Sequence, residues 1–504
     1  MKAYMLKKLI INSTVSETRV ALIEGQRLAE LYVERQSKRG MVGNIYKAKV
    51  SRVLPGMQSA FVNIGADRSA FLYGGDVVDP DYLATLKNQS QQDPRESNNR
   101  TPIEKVLREG QEIIVQVAKE PLGTKGPRVT MVVTIPGRYL VLMPEFNSVG
   151  ISRRIEDEAV RQRLLAEVEQ VRPKDKGVII RTAAMEAQTE HLQKDLDYLL
   201  KVWESVQEKR VKSAAPALLY QEPDLVLKTT RDLYTEDVAE IVVDDQQVYE
   251  QLQHFMQDSI PGADQKLGLY AGKDLIFDHY GLEIEIANAL SRKVWLPSGG
   301  YLVIDQTEAL TSFDVNTGKF VGSLNAQDTI LKTNVEAIDE IVHQLRIRNL
   351  GGIIVIDFID MESFADQQKV NERLLEALKA DKSRTNVLAI NELGLVQMTR
   401  KRTRESLERV LTSECAHCNG WGRTLSCESL VYDMMRDIER FYLRTGMKDI
   451  RIRIRDDVQE MLLNEEKTLY NSLVEKYGLE LSFLATSMKS TMLHEPPYEV
   501  LGHS

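Results

Sequence analysis

Residues 351–360 read GGIIVIDFID, a short continuous apolar run that follows two glycines and ends on acids. A run with no polar alternation has no solvent face, so it suits a strand buried on both sides of a sheet. The segment before it carries Leu331, Val335, Ile338, Val342 and Leu345 at helical spacing, one apolar stripe. Before that, residues 301–316, YLVIDQTEALTSFDVN, read as a hairpin. Strand, helix and buried strand in that order predict an α/β sheet from about residue 300.

Asp314 ends the strand LTSFD and Asp357 ends IIVID. Ligands of α/β sheets gather at the carboxyl ends of strands. If these strands are neighbours, the two carboxylates converge, and a close pair must either share a proton or hold a cation. Magnesium suits such a pair, because it takes oxygen ligands, keeps waters and needs only one or two carboxylates plus a substrate phosphate. Asn316, two residues along the same strand face, is placed to orient a carboxylate or a water. Acids that merely cap strand ends are the commoner case, and Asp305 and Asp360 are similarly placed. Spacing alone leaves the choice open.

The remainder divides into several units, as 504 residues require. Residues 8–34 read as strands turning at Gly25. Residues 40–78 alternate short strands with glycine turns, a small β-barrel that the strand at 112–120 is expected to close. The polar stretch 79–102 reads as a loop within it. Residues 138–210 alternate strands (YLVLM, GVIIRTAA) with amphipathic helices near 156–170 and 186–209. Residues 425–504 form a last small α/β unit. Three cysteines, a three-residue apolar run at the N-terminus and no apolar stretch near the roughly 20 residues of a membrane helix predict a cytoplasmic protein without an integral membrane segment. A net charge of −9 weighs mildly against nucleic-acid binding, although local patches decide that. No G-x-x-x-x-G-K-[ST] loop and no H-E-x-x-H is present.

Other residues point to an RNA path. Phe61 and Phe71 lie on successive barrel strands among Lys47, Lys49 and Arg52, a combination that suits base stacking beside phosphate tracking. Taken singly, either ring reads as core. Arg181 and Thr182 end the strand GVII, where a guanidinium, a hydroxyl and nearby amides can form a phosphate site. By the residues alone, Arg181 reads as paired with a surface acid. The run 400–404, RKRTR, is dense in charge, and Arg400 is its leading candidate for phosphate contact, with Arg346 and Arg348 weaker ones. A solvated charged face is the ordinary alternative. Cys415 and Cys418 form a C-x-x-C. Two thiolates leave a tetrahedral zinc site half filled, His417 between them would strain to join it, and Cys427 falls in the next helix. Two chains sharing one zinc is the economical solution. Redox activity or no role at all are the alternatives.

Long collinear strings from about residue 8 to at least 425 carry a resemblance. TSFDVNTGKFVG, TNVEAIDEIVHQLRIRNLGGIIVIDFIDM, GLVQMTRKRTRESL, KRGMVGNIYKAKVSRVLPGMQSAFVNIG, KEPLGTKGPRVT and IIRTAA closely resemble the ribonuclease E/G family. The resemblance implies a magnesium-dependent endoribonuclease that cleaves single-stranded A/U-rich RNA, prefers 5′-monophosphorylated ends and leaves 5′-phosphate and 3′-hydroxyl products. It implies action on ribosomal RNA precursor and mRNA. Asp314 and Asp357 match the family's metal-binding aspartates and Asn316 its positioning asparagine. Arg181 and Thr182 match its 5′-monophosphate sensor, Phe61 and Phe71 its RNA-facing aromatics, and Cys415 and Cys418 its inter-subunit zinc link, with Ala416 where proline is usual. The implied architecture is an RNase H-like subdomain (1–39 plus 230–289), an S1 (OB-type) barrel (40–120), a 5′-sensor region (121–229), a DNase I-like catalytic subdomain (290–412), a zinc-link (413–424) and a small oligomerisation domain (425–504). A homodimer is implied, and a dimer of dimers is left open. The disordered extension of longer family members is expected to be absent. Two rival readings are a non-catalytic RNA-binding module that uses the barrel alone and an oligomeric scaffold built around zinc.

Overall fold

The computed structural model describes residues 6–35, 40–78, 102–121, 126–259, 263–318, 326–402, 404–416, 418, 420, 422–486 and 498–502. The loop expected at 79–102 lies almost wholly outside the described residues, as does His417. The chain forms two compact units, Met1–Val410 and Leu411–Ser504.

In the first unit, strands Lys7–Ser13, Glu17–Glu24 and Arg27–Arg35 form an antiparallel meander, with Gly25 at φ 66° in the turn between the second and third strands, the place of the expected hairpin. Lys7–Ser13 also pairs in parallel with Val238–Val243, which in turn pairs with Leu267–Leu269. One sheet therefore joins the two ends of a long insertion. Leu9, Ile11, Val20, Leu22, Ile241 and Val243 knit its core.

The insertion begins with a closed five-stranded barrel. Its strands, in spatial order, are Ile45–Leu54, Ser59–Asn63, Ala70–Tyr73, Arg128–Thr130 and Glu112–Lys119, and the last pairs back onto the first. Closure needs Arg128–Thr130, so the barrel runs past the expected boundary at 120. Next comes a four-stranded sheet (Val149–Ile151, Gly177–Ile180, Leu140–Met143, Ile135–Pro136) covered by helices Glu158–Val171 and Thr189–Lys212. Asp157 caps the first helix by accepting from the amides of Ala159 and Val160. From the second helix, the buried Asp195 carboxylate accepts backbone N–H bonds of 3.0, 2.8 and 2.9 Å from Arg138, Tyr139 and Leu140. Burial nonetheless raises its pKa.

Residues 293–400 form a six-stranded sheet in the order Lys293–Trp295, Tyr301–Gln306, Leu310–Asn316, Gly352–Asp357, Leu395–Arg400, Thr385–Val387. The expected hairpin is there, and helix Ala326–Ile347 crosses to the parallel strand Gly352–Asp357. Its apolar stripe packs with helix Phe364–Leu378 on one face of the sheet, against Leu302, Ile304, Phe313, Val315, Ile354, Ile356, Val396 and Met398.

The second unit has a three-stranded sheet of Glu480–Thr486, Asp449–Arg455 and Tyr498–Gly502 with helices Cys427–Thr445, Asp456–Asn464 and Lys467–Tyr477. The central strand, DIRIRIR, turns Ile450, Ile452 and Ile454 inward.

Of the basic residues singled out in the sequence, Arg346, Arg348 and Arg400 are buried, whereas Lys401 and Arg402 of the 400–404 run are exposed. Arg400 is 5% exposed, its Nε and Nη2 donate to Asp381 at 2.6 and 3.0 Å, and its Nη1 donates to the Leu350 carbonyl at 2.7 Å. This corrects the reading of Arg400 as a phosphate contact: its fork is fully spent inside the fold. Arg346 bonds Glu24 and Glu30, and Arg348 bonds Gln344 and the Ser291 carbonyl, so neither offers a free face. Arg402 donates to the Gly351 carbonyl, and Arg404 stacks 3.7 Å over Tyr32. Arg400→Ala strands the Asp381 carboxylate in the interior, an expected loss of about 3–5 kcal/mol in urea unfolding. Arg400→Met with Asp381→Leu should recover most of it. A single variant as stable as wild type but weakened in RNA binding would reinstate the phosphate contact.

Candidate active site

Asp314 and Asp357 face each other in register across the parallel strand pair. The helices cover the face that carries Phe313, Val315, Ile354 and Ile356, so alternation puts both carboxylates on the opposite, uncovered face. Both residues are exposed, and neither carboxylate makes a hydrogen bond or ion pair among the described residues. Asn316 follows on the same face, its amide likewise unengaged, paired in register with Tyr301.

The Asp357 carboxyl has a raised pKa, caused by partial burial and then by the charges of Asp314 and Asp360. Asp360 thus adds to the same negative field. It lies in the loop after Asp357, and that loop is clamped by the fully buried Asn334, which donates to the Ile359 carbonyl at 2.9 Å and accepts from the Ile359 amide at 3.1 Å. Asp305 is set apart: Arg292 engages it through two bonds of 2.5 and 2.7 Å and lowers its pKa. The sequence left Asp305 and Asp360 equivalent, and pairing with Arg292 removes only the first. No cluster of three or more potential ligand residues with metal-binding geometry occurs among the described residues. A pair of unsatisfied, mutually repelling oxygen donors fits a hard divalent cation that completes its shell from water and phosphate.

The other sequence-predicted residues lie on separate surfaces. Phe61 and Phe71 pair in register on the barrel, ring centroids 6.0 Å apart and edge to face. Ala60, Val62, Ala70 and Leu72 fill the barrel core, so both rings point outward. Tyr73, on the same face as Phe71 and exposed, extends this aromatic surface. Its spacing from Phe71 was the available signal. Lys47 is turned away, bonded to Glu112 and to the Ser213 carbonyl.

Arg181 immediately precedes the 3-10 turn Thr182–Glu186. Its backbone amide donates to the Tyr139 carbonyl, and its guanidinium bonds the Gly137 carbonyl and, at 2.7 Å, Asp232. The surface-acid pairing suggested by the residues alone is therefore present. Burial works to raise the Asp232 pKa, but Arg231 and Arg181 outweigh it and the net shift is downward. The same guanidinium borders a cavity of about 620 Å³ that Lys119, Arg128, Lys228 and Arg231 also line. The Thr182 hydroxyl lies 3.1 Å from that of Ser152. In the second unit, Cys415 is exposed, and the Cys418 sulfur accepts from the Gly422 amide at 3.1 Å. Cys427 opens the next helix, as expected, and its thiol donates to Asp457.

Comparison with known proteins bears on this arrangement. The model of the ribonuclease E/G family matches residues 134–403, the stretch that contains Arg181, Asp314, Asn316 and Asp357. A model of the RNase E/G thioredoxin-like domain matches residues 414–500. The chain belongs to the ribonuclease E/G family. Ribonuclease G of Haemophilus influenzae is 46% identical over 91% of this chain and 92% of its own length. Ribonuclease G of Escherichia coli K12 is 46% identical over 92% and 93%. Ribonuclease E of Escherichia coli K12 is 38% identical over 93% of this chain but only 44% of its own length. Of these relatives, the two ribonuclease G chains share more identical residues with this chain than ribonuclease E does, and they match it over nearly their whole length. Among the described residues, no helix is long and apolar enough to cross a membrane.

Folding raises the Asp357 pKa, so the folded state holds that proton more tightly than the unfolded chain, and stability falls as pH rises through the range. The penalty is present in full once the carboxyl is ionised. Without divalent cations, Asp357→Asn should then be at least as heat-stable as wild type, with a gain below about 1 kcal/mol because solvent screens the group. A calorimetric midpoint several degrees lower would show that Asp357 makes structural bonds.

Proposed function

We propose that this chain is an endoribonuclease that hydrolyses single-stranded, A/U-rich RNA at the Asp314–Asp357 pair. The observation that carries the reading is the in-register juxtaposition of two unpartnered carboxylates on the uncovered face of a sheet, in a chain of the ribonuclease E/G family. Asp314 and Asp357 would hold magnesium. Bound there, the ion would supply positive charge for the scissile phosphate and acidify water. Asp314 and Asp357 keep the face negative until a cation and a phosphate arrive together. Asn316, with a free amide beside Asp314, orients that carboxylate. Products with 5′-phosphate and 3′-hydroxyl ends belong to this reading.

The barrel surface of Phe61, Phe71 and Tyr73 offers ring faces to unstacked bases, which suits single strands better than duplex. The cation-lined cavity beside Arg181 supports a preference for 5′-monophosphorylated ends, with Arg181 exchanging Asp232 for the terminal phosphate and Thr182 adding its hydroxyl. The strand order of the sheet that joins residues 7–35 to 238–269 supports the RNase H-like reading of that subdomain. The exposed Cys415 and Cys418 would share one zinc with the same pair of a second chain, linking a homodimer. Maturation of ribosomal RNA 5′ ends and turnover of mRNA in the cytoplasm complete the proposal.

A non-catalytic RNA-binding module is the alternative, and it leaves the carboxylate pair without a purpose. Cleavage of a 5′-labelled single-stranded RNA with and without magnesium separates the two. Asp314→Asn is expected to lower the rate by at least about a thousand-fold while RNA binding stays within about two-fold, since the asparagine keeps the shape but not the charge that magnesium needs. Undiminished cleavage by Asp314→Asn would sink the assignment.

A further inference from the structure

The strand Lys293–Trp295 is the outer edge of the sheet that carries the carboxylates. Its register aligns Lys293 with Val303 and, through it, with Asp314. Trp295 aligns with Tyr301 and, through it, with Asn316. Paired positions share a face, so Lys293, Trp295 and Tyr301 stand on the same uncovered face as the catalytic pair. The two aromatic rings meet edge to face with centroids 5.4 Å apart. The Lys293 ammonium lies 3.5 Å from the Tyr301 ring centroid and 4.1 Å from that of Trp295.

Trp295 is 61% exposed, and neither ring belongs to the buried core of its sheet. An indole left in water forgoes a large burial gain, so its place on the surface calls for another explanation. The lysine braces one face of the indole, and the exposed remainder presents a flat π surface beside a positive charge. That combination suits a base lying on a ring while its phosphate meets a cation. The edge strand is two strand spacings, about 10 Å, from the strand bearing Asp314. A nucleotide on Trp295 would therefore neighbour the one whose phosphate faces the carboxylates. The barrel aromatics Phe61, Phe71 and Tyr73 form a different surface, on a different sheet.

We propose that Trp295, braced by Lys293 and Tyr301, is a base-stacking platform that seats a nucleobase of single-stranded RNA next to the scissile phosphate. It rests on the reading of Asp314 and Asp357 as the cleavage site. The platform fixes which phosphate lies over the carboxylates, so it sets position along the strand as well as affinity.

The test uses the full-length protein and short single-stranded RNAs that differ only in carrying one abasic nucleotide at successive positions around the cut. Wild type should show one position near the cut where base loss lowers kcat/KM about ten-fold, within the range found for single base–aromatic stacks. In Trp295→Ala that position-specific sensitivity should vanish and intact RNA should be cut about ten-fold less well, whereas Trp295→Phe should restore most of both. The same abasic series is read as equilibrium binding by fluorescence anisotropy, which decides the platform without any cleavage. Absence of cleavage by wild type counts against the carboxylate reading alone. An abasic profile identical in wild type and Trp295→Ala, in either readout, would overturn the platform and leave the three side chains as a brace on the edge strand. Loss of self-association in Trp295→Ala with an unchanged abasic profile would overturn it in favour of a contact between copies of the chain.

Discussion

Two like charges stand side by side because their strands are locked together from the other face. Phe313 and Val315 on one strand and Ile354 and Ile356 on the next are buried beneath the helices Ala326–Ile347 and Phe364–Leu378. Each such side chain contributes roughly 1.5–3 kcal/mol on burial, far more than the screened repulsion of two exposed carboxylates costs. The fold can therefore hold Asp314 and Asp357 in register without any partner of their own. Because the strands are parallel, a crossover helix must connect them, and that same helix supplies Asn334 to clamp the loop bearing Asp360.

The arginines show the opposite economy. The sequence concentrates them at 346–348 and 400–404, where an RNA-binding face is the tempting reading. Arg346, Arg348 and Arg400 are instead spent on carbonyls, carboxylates and a side-chain amide within the fold, and Arg404 on an aromatic ring, while Arg402 stays exposed with one bond to a carbonyl. In the proposed function, an acidic protein thus keeps the region of Asp314 and Asp357 negative enough to attract a cation. Under the proposed function, phosphate contact would fall to the cavity beside Arg181 and to exposed cations such as Lys293. On the proposed reading, affinity for RNA would rest on exposed aromatic rings as much as on charge.

Much of this was legible from the residues. The stripe from Leu331 to Leu345 and the hairpin at 301–316 appear as expected; GGIIVID is a strand as expected but is not buried on both faces, because the helices cover only the side of Ile354 and Ile356 and leave Ile353 exposed. The barrel was legible from its short alternating strands, but its short closing strand Arg128–Thr130 was not, because three residues carry too little pattern. The outward direction of Phe61 and Phe71 became clear only once Ala60, Val62, Ala70 and Leu72 were seen to fill the barrel. The fate of Arg400 depended on Asp381, a partner whose burial no spacing rule foretells. Asp305 could not be separated from its neighbours until Arg292 was found on it. Trp295 drew no notice because a single tryptophan on a three-residue edge strand has no periodicity to betray its face.

The central claim is that Asp314 and Asp357 bring a hard cation to the scissile phosphate. Replacing one non-bridging oxygen of that phosphate by sulfur tests it most directly, because sulfur binds magnesium poorly and softer ions better. In magnesium, one of the two sulfur diastereomers should be cleaved much more slowly than the all-oxygen RNA, and manganese or cadmium should restore its rate. Equal rates for both diastereomers in magnesium, with no gain from the softer ions, would contradict a metal held between these carboxylates and the phosphate.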